Sequence, residues 1–253
     1  MNENEIILTK TFSPQFADMD ADGFIGIRGY LTYFQNAVTE YMMNLGLDGF
    51  TMLEKYGAAW VYTKYKLHME KKARFADIHT ESWTEKRRSV SSLLQNLAIS
   101  QGNEACAFGK LEFCLYNLKN NRLCRISDID FPACAPVEKS VDISPFARIK
   151  PTADKGEYVY SHTVRYTDLD SNRHMNNIKY VDMLLNAFDS NFYDTHFISD
   201  FEIHYMNQSY EGEKINVYMK NSETEIILTG EKEDGTDAAV CIIKGLRQNA
   251  QTA

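Results

Sequence analysis

Apolar residues recur at helical spacing once in each half of the chain. In the first half these positions are Tyr30, Leu31, Phe34, Ala37, Val38 and Tyr41. In the second half they are Ile178, Val181, Leu184, Leu185 and Phe188. Each spacing predicts an amphipathic helix with one apolar face. Gly46 suits the end of the first helix, and Asn176 or Asn177 suits the N-cap of the second.

Strand-like runs follow each predicted helix. They cover residues 78–83, 91–100 and 105–116 in the first half, and residues 214–220, 224–230 and 238–245 in the second. Gln101-Gly102-Asn103 and the segment 232–235 supply turn signals between neighbouring runs, which predicts antiparallel hairpins. Because an amphipathic helix must bury its apolar face, we expect an α+β unit in which the sheet wraps around the helix.

The two halves are related by an internal repeat. At an offset of 150, the residues Asp18, Asp20, Tyr30 and Ala37 correspond to Asp168, Asp170, Tyr180 and Ala187. A second block, Tyr65–His68, corresponds to residues 201–204 at an offset of 136. The chain of 253 residues therefore predicts two similar units in tandem rather than one large domain.

Prolines mark the connection between the predicted units. Four of the five prolines lie in the stretch 130–152, and proline disfavours both helix interiors and central strands. We expect a first unit over residues 1–130, a linker over 131–152, and a second unit over 153–253.

Composition limits the classes of partner and compartment. The chain has 27 basic and 35 acidic residues, a net charge of −8, which argues against nucleic acid as the main partner. No apolar run reaches the length of a membrane span, and no secretory signal is visible. The odd cysteine count of five, without a CxxC pair, favours neither a disulfide framework nor a zinc site. We expect a cytoplasmic protein without metal or cofactor, in which Cys241 is a packing residue.

A polar cluster precedes the second predicted helix and could carry chemistry at a carbonyl group. Asp170 can accept protons, His174 can transfer them, and Asn172 offers both a donor and an acceptor. The free N–H groups at the helix start, beside Asn176 and Asn177, suit a developing oxyanion. The alternative interpretation is structural, with the same side chains only satisfying the backbone of the turn.

The first copy of the repeat favours the functional interpretation. There Asp22 stands at the position of Asn172, Phe24 at the position of His174, and Gly26 at the position of Asn176. If the first copy builds the same turn without these groups, the turn itself does not require them. The residues 18–23 also resemble the start of a calcium-binding loop, but Gly29 stands where that loop needs a glutamate.

The segment Arg165–Tyr180 resembles the D-L-D-x-N-x-H-x-N-N-x-K-Y signature of the acyl-acyl-carrier-protein (acyl-ACP) thioesterases of bacteria and plants. The order of the other blocks extends this resemblance over nearly the whole chain. It implies a tandem double hotdog fold, in which each unit is an antiparallel sheet around one long helix. It also implies a hydrolase of fatty acid biosynthesis that releases free fatty acid, with Asp170, Asn172 and His174 as catalytic residues.

The resemblance breaks at a second family motif. Where the family usually has a Glu-Cys pair, this chain has Gln208 and Ser209. Gln208 cannot act as a base, so we favour attack by water, with Gln208 or Ser209 positioning the water or the thioester. A Ser209 nucleophile would need an activating base within hydrogen-bond reach, and this covalent route stays open.

The thiol carrier of the substrate is also open at this stage. Residues 60–90 contain eight basic and four acidic side chains, so Arg87 and Arg88 could receive an acidic acyl carrier protein; the alternative is an ordinary solvated strand. An acyl-CoA thioesterase and a catalytically silent acyl-binding module are the competing functions. A homodimer is a further expectation.

Overall fold

The structure is a computed structural model, and it describes residues 6–86, 89–133, 136–149 and 153–248. The chain divides into two compact units, Met1–Ser144 and Pro145–Ala253. The boundary between the units falls within the stretch that the prolines mark as a linker.

Unit 1 is an antiparallel sheet with two helices. Its helices are α1 (Ile27–Asn44) and α2 (Gly49–Tyr56). Its strands are β1 (Leu8–Phe12), β2 (Ala58–Met69), β3 (Ile78–Glu85), β4 (Ser92–Gln101), β5 (Glu104–Asn117), β6 (Arg122–Leu123) and β7 (Pro136–Val137). The main strands are ordered β1-β3-β4-β5-β2, while β6 pairs with β5 and β7 pairs with β3. The pairing of β7 with β3 is parallel and the other pairings are antiparallel.

Unit 2 repeats this plan with shorter helices. Its helices are α3 (Asn177–Leu185) and α4 (Ser190–Thr195). Its strands are β8 (Glu157–Thr163), β9 (His196–Tyr205), β10 (Lys214–Asn221), β11 (Ile226–Lys232) and β12 (Asp237–Gln248). They are ordered β9-β12-β11-β10-β8, and every pairing is antiparallel. The predicted α+β class is therefore confirmed in both units.

The hydrophobic spacing predicted both principal helices. All six apolar positions of the first pattern are buried on α1, which packs against β1, β3 and β4. Gly46 follows the helix with φ +67°, as expected for a stop signal. In unit 2, Asn176 is the N-cap of α3. That helix ends at Leu185, so Phe188 lies beyond it and stacks on Phe192 of α4, with ring centroids 4.0 Å apart.

In each unit a glycine lets the helix approach the sheet closely. A Cβ atom on Gly109 of β5 would lie 2.9 Å from the ring of Phe34 on α1. A Cβ atom on Gly230 of β11 would lie 2.9 Å from the terminal methyl of Met183 on α3. Separations this short are repulsive, so a side chain at either position would force its neighbour to move.

Part of the predicted linker belongs to unit 1. Besides the pairing of β7, the indole N–H of Trp83 donates to the carbonyl oxygen of Lys139 at 2.7 Å. Val137 and Val141 pack on the same indole. The prolines therefore do not exclude this stretch from regular structure, because Pro136 lies in a two-residue strand.

Cysteine pairing and helix length are two further features of the described residues. The four cysteines within the described residues are all free. Cys241 is fully buried on β12, where burial raises the pKa of its thiol, so it is a packing residue as expected. No helix in the described ranges is both long and apolar enough to cross a membrane.

Candidate active site

The polar motif of unit 2 forms a tight turn closed by its own backbone. The Asp170 N–H donates to the His174 carbonyl oxygen at 2.8 Å, and the Arg173 N–H donates to the Asp170 carbonyl oxygen at 3.0 Å. Arg173 has a left-handed backbone, with φ +61°. This turn brings the predicted catalytic side chains of Asp170, Asn172 and His174 into one short loop before α3.

The Asp170 carboxylate has one oxygen in the turn and one outside it. Its Oδ1 accepts hydrogen bonds from the N–H groups of Asn172 at 2.8 Å and His174 at 3.3 Å. Within the described ranges, its Oδ2 and the His174 imidazole have no hydrogen-bond partner. Both side chains are half-buried, whereas Asn172 is exposed. Asp170 thus has a structural role in the turn and still keeps one oxygen that can accept a proton.

The start of α3 offers fewer oxyanion donors than the sequence indicates. The Asn176 N–H donates to the Asp168 carbonyl oxygen at 2.8 Å, and the Ile178 N–H donates to the Asn176 Oδ1 at 2.9 Å. Of these three consecutive groups, only the Asn177 N–H lacks a hydrogen bond to any described residue. A single backbone donor at a helix N-terminus, supported by the helix dipole, is therefore available to an anion.

The loop after β9 lies against the motif. The Met175 N–H donates to the Ser209 carbonyl oxygen at 2.9 Å, and the Tyr180 hydroxyl donates to the Asn207 carbonyl oxygen at 3.4 Å. These bonds bring the Gln208–Ser209 pair beside the turn although it lies more than 30 residues further along the chain.

The two residues of the pair differ in environment. Gln208 is exposed, and its Oε1 accepts a hydrogen bond from the Tyr210 hydroxyl at 3.4 Å. Ser209 is fully buried, and its Oγ makes no hydrogen bond of normal geometry within the described part of the chain. The Tyr180 hydroxyl is close enough to interact with Ser209 electrostatically. No described carboxylate or imidazole accepts a hydrogen bond from the Ser209 hydroxyl.

Sequence reasoning missed Tyr210. Its ring lies nearly perpendicular to the His174 imidazole, with an interplanar angle of 88° and centroids 5.1 Å apart. Nothing in the sequence signals this contact, because it depends on the backbone pairing between Met175 and Ser209.

Unit 1 builds the same turn with different side chains. The Asp20 N–H donates to the Phe24 carbonyl oxygen at 2.7 Å, and the Gly23 N–H donates to the Asp20 carbonyl oxygen at 2.9 Å. These are the equivalents of the two bonds that close the turn in unit 2. The turn therefore forms without the imidazole and without the amide of Asn172.

A lysine enters the acidic cluster of unit 1. The Lys72 ammonium lies 2.6 Å from the Asp22 carboxylate and 3.7 Å from the Asp20 carboxylate. Burial raises the pKa of the Asp20 carboxyl above its usual value, and the Lys72 charge opposes this shift. Lys72 stands at the position of Gln208 in the repeat, so unit 1 has an ion pair where unit 2 has neutral polar groups.

No group of three or more metal-ligating side chains occurs in the portion of the chain that the structure describes. Arg87 and Arg88, the predicted carrier contacts, lie outside the described residues.

Two tandem units of this architecture, the second with an imidazole and an amide in the turn before its helix, define a protein of the double hotdog class. The family model for the acyl-ACP thioesterase N-terminal domain matches residues 6–131, and the model for the acyl-ACP thioesterase C-terminal domain matches residues 152–244. The chain therefore belongs to the acyl-ACP thioesterase family.

Individual relatives agree with this assignment. A chloroplastic dodecanoyl-[acyl-carrier-protein] hydrolase from Cinnamomum camphora is 26% identical over 228 residues, which is 80% of this chain and 56% of that protein. This chain thus spans little more than half the length of that relative.

Two solved structures show the same fold. An acyl-ACP thioesterase from Bacteroides thetaiotaomicron has 19% identity and a TM-score of 0.86, over 95% of this chain and 98% of that one. The 12:0-ACP thioesterase from Umbellularia californica has 16% identity and a TM-score of 0.84, over 96% and 98%. The predicted double hotdog fold is confirmed.

Proposed function

We propose that the protein hydrolyses fatty acyl thioesters, with acyl carrier protein as the thiol carrier, and releases free fatty acid. The observation that carries this proposal is the contrast between the two turns. Both units close the same backbone loop with an aspartate, but only unit 2 adds an imidazole and an amide, whereas the carboxylates of unit 1 pair with Lys72. Membership in the family and the names of the relatives from C. camphora and U. californica support the same substrate class.

The mechanism that these residues favour is attack by water. The free oxygen of Asp170 or the His174 imidazole takes a proton from water while the water oxygen bonds to the thioester carbon. The Asn177 N–H stabilises the developing oxyanion at the start of α3. When the C–S bond breaks, the protonated base returns a proton to the thiolate, giving a free acid and a free thiol. Asn172 and Gln208 are proposed to orient the water or the thioester.

The covalent alternative has less support. A serine nucleophile needs a base within hydrogen-bond reach, and the Ser209 hydroxyl is buried without one in the described residues. Gln208 next to it cannot accept a proton at neutral pH. We therefore assign Ser209 no bond-forming step.

The experiment that tests this proposal measures free-thiol release from a series of acyl-ACP and acyl-CoA substrates of increasing chain length. We expect turnover with acyl-ACP, and a lower kcat/KM with the matching acyl-CoA. Equal or higher kcat/KM with acyl-CoA would instead identify an acyl-CoA thioesterase. Binding of acyl chains without thiol release at any length would identify a silent acyl-binding module and refute hydrolysis.

Assembly and location are proposed from the sequence alone. We propose that the protein acts in the cytoplasm and forms a homodimer. Light scattering of the purified chain tests the second point, and a mass of one chain of 29.1 kDa would refute it.

A further inference from the structure

We propose that Tyr210 is a positioning residue, which fixes the orientation of the His174 imidazole during thioester hydrolysis. This inference rests on the proposed function and extends it to a residue outside the family motif. No catalytic step is assigned to Tyr210 itself.

The contact between the two rings is the first observation. A perpendicular arrangement with centroids 5.1 Å apart lies within the favourable range for aromatic pairs. Because the imidazole has no hydrogen bond to any described residue, no carboxylate or carbonyl sets its rotamer. The Tyr210 ring is the described aromatic group that packs on it.

The second observation is that Tyr210 is itself fixed. Its N–H donates to the Glu213 carboxylate at 3.1 Å, and that carboxylate pairs with the Lys232 ammonium at 2.9 Å. Lys232 also donates to the Gln208 carbonyl oxygen at 3.1 Å and lies 6.0 Å from the centre of the Tyr210 ring. Lys232 ends β11, so the sheet holds the loop that carries Tyr210.

The third observation comes from unit 1. In the repeat, Arg74 stands at the position of Tyr210 and Phe24 at the position of His174. Gln101, which ends β4 as Lys232 ends β11, holds the unit 1 loop through the carbonyl oxygens of Arg74 and Ala76, both at 2.9 Å. The loop is therefore held in both units, but an aromatic side chain stands at the position of Tyr210 only in unit 2, where the turn carries the imidazole.

A free imidazole on a turn samples several rotamers, and a general base must lie within hydrogen-bond reach of its proton. Removing the ring should lower the fraction of productive orientations and so reduce kcat. Substrate binding need not change, because Tyr210 makes no proposed contact with the acyl chain. The hydroxyl, with a bond of 3.4 Å to Gln208, should contribute less than the ring.

The test compares Tyr210→Leu with Tyr210→Phe on an acyl-ACP substrate, with Tyr158→Leu as the matched control. Tyr158 is an exposed tyrosine of unit 2 that also makes an edge-to-face ring contact, with Tyr218 at 5.9 Å and an interplanar angle of 72°. We expect Tyr210→Leu to lower kcat about 10-fold with KM changed by less than about 2-fold, the scale of lost orientation. Tyr210→Phe and Tyr158→Leu should keep at least about half of the activity.

NMR of histidine-labelled protein supplies a readout that a purely structural role would not move. The three-bond Hα–Hβ couplings of His174, assigned by their loss in His174→Gln, should report a single χ1 rotamer in the wild type and in Tyr210→Phe, and averaged rotamers in Tyr210→Leu. Equal kcat in the wild type and Tyr210→Leu, with His174→Ala inactive, would overturn the role of Tyr210 alone. No hydrolysis by the wild type would overturn the proposed function, and this inference with it.

Discussion

Arg173 has an unusual backbone conformation inside the candidate active site. Its φ of +61° is left-handed, and the equivalent residue of unit 1 is Gly23 with φ +81°. A non-glycine residue in this region destabilises the folded state by about 1–2 kcal/mol, and replacing it with glycine removes this strain. Glycine also has more conformational entropy in the unfolded state, which cancels about 0.5–1 kcal/mol of that stabilisation. We expect Arg173→Gly to raise the free energy of unfolding by up to about 1 kcal/mol, measured by urea denaturation.

The neighbouring Ser171 provides the control for this substitution. It is exposed in the same turn, and its φ is not positive. Ser171→Gly should therefore lower the free energy of unfolding by about 0.5–1 kcal/mol. A loss of stability in Arg173→Gly as large as that in Ser171→Gly would contradict a strained Arg173.

Ser209 distinguishes water attack from covalent catalysis. Because its buried Oγ has no regular hydrogen bond in the described chain, Ser209→Ala removes a polar group that gains little from folding. We expect the steady-state kcat of Ser209→Ala on acyl-ACP to stay within about 3-fold of the wild-type value, because Ser209 transfers no proton in the water mechanism. A loss of about 100-fold or more, with an unchanged circular dichroism spectrum, would indicate a serine nucleophile.

At the residue scale the sequence is informative only where the site is local. Asp170, Asn172, His174 and Asn176 lie within one turn, so their proximity follows from their spacing. Their hydrogen bonds do not follow from the spacing, since the sequence cannot show that only one Asp170 oxygen accepts hydrogen bonds from the turn. The Tyr210 contact depends on a bond between two distant loops, and no local pattern encodes such a bond.

The elements themselves were largely predictable. Periodicity of 3.6 or 2 residues is a local property, so both principal helices and the six predicted strands of the two hairpin regions lie within a few residues of their expected positions. The end of α3 was not predictable in this way. After Leu185 the chain continues with tighter i→i+3 hydrogen bonds at Ala187 and Phe188. Phe188 then stacks on Phe192 of α4, a contact that apolar spacing alone does not show.

The close approach of α1 to β5 gives a prediction at this scale. A Cβ atom on Gly109 would meet the rigid ring of Phe34, which is fully buried. We expect Gly109→Ala to lower the free energy of unfolding by about 1–3 kcal/mol through overpacking, measured by urea denaturation.

Gly230→Ala is the matched substitution in unit 2. Its Cβ atom would meet the flexible end of Met183 at the same distance, 2.9 Å. Methionine adapts readily to changes in packing. Gly230→Ala should therefore lower the free energy of unfolding by less than Gly109→Ala does. A neutral Gly109→Ala would contradict the packing of α1 described above.

At the scale of the whole molecule, charge bears on the choice of carrier. The net charge of −8 opposes binding of an acidic carrier protein, whereas residues 60–90 carry a net positive charge. Electrostatic fields are screened beyond about 8 Å at physiological salt, so a local basic segment can attract an acidic carrier although the net charge of the chain is negative. Reversing the charges of Arg87 and Arg88 to Glu should raise KM for acyl-ACP and leave KM for acyl-CoA unchanged. Equal increases in KM for both substrates would show that these arginines do not bind the carrier protein.

The sequence also predicted two similar units with unequal chemistry. The repeat at an offset of 150 corresponds to equivalent turns before α1 and α3, with the same pair of backbone hydrogen bonds. The chemical inequality was visible as Phe24 in place of His174. What the sequence did not show is that Lys72 pairs with Asp20 and Asp22 and offsets part of their negative charge.

The central claim is that unit 2 carries the hydrolytic chemistry and unit 1 does not. The most direct measurement is the kcat for thiol release from a medium-chain acyl-ACP by His174→Ala and by Phe24→Ala, the equivalent position in unit 1. We predict a loss of at least about 100-fold for His174→Ala, the scale for removing an acid/base group, and less than about 3-fold for Phe24→Ala. Unchanged kcat in a folded His174→Ala protein would contradict this account.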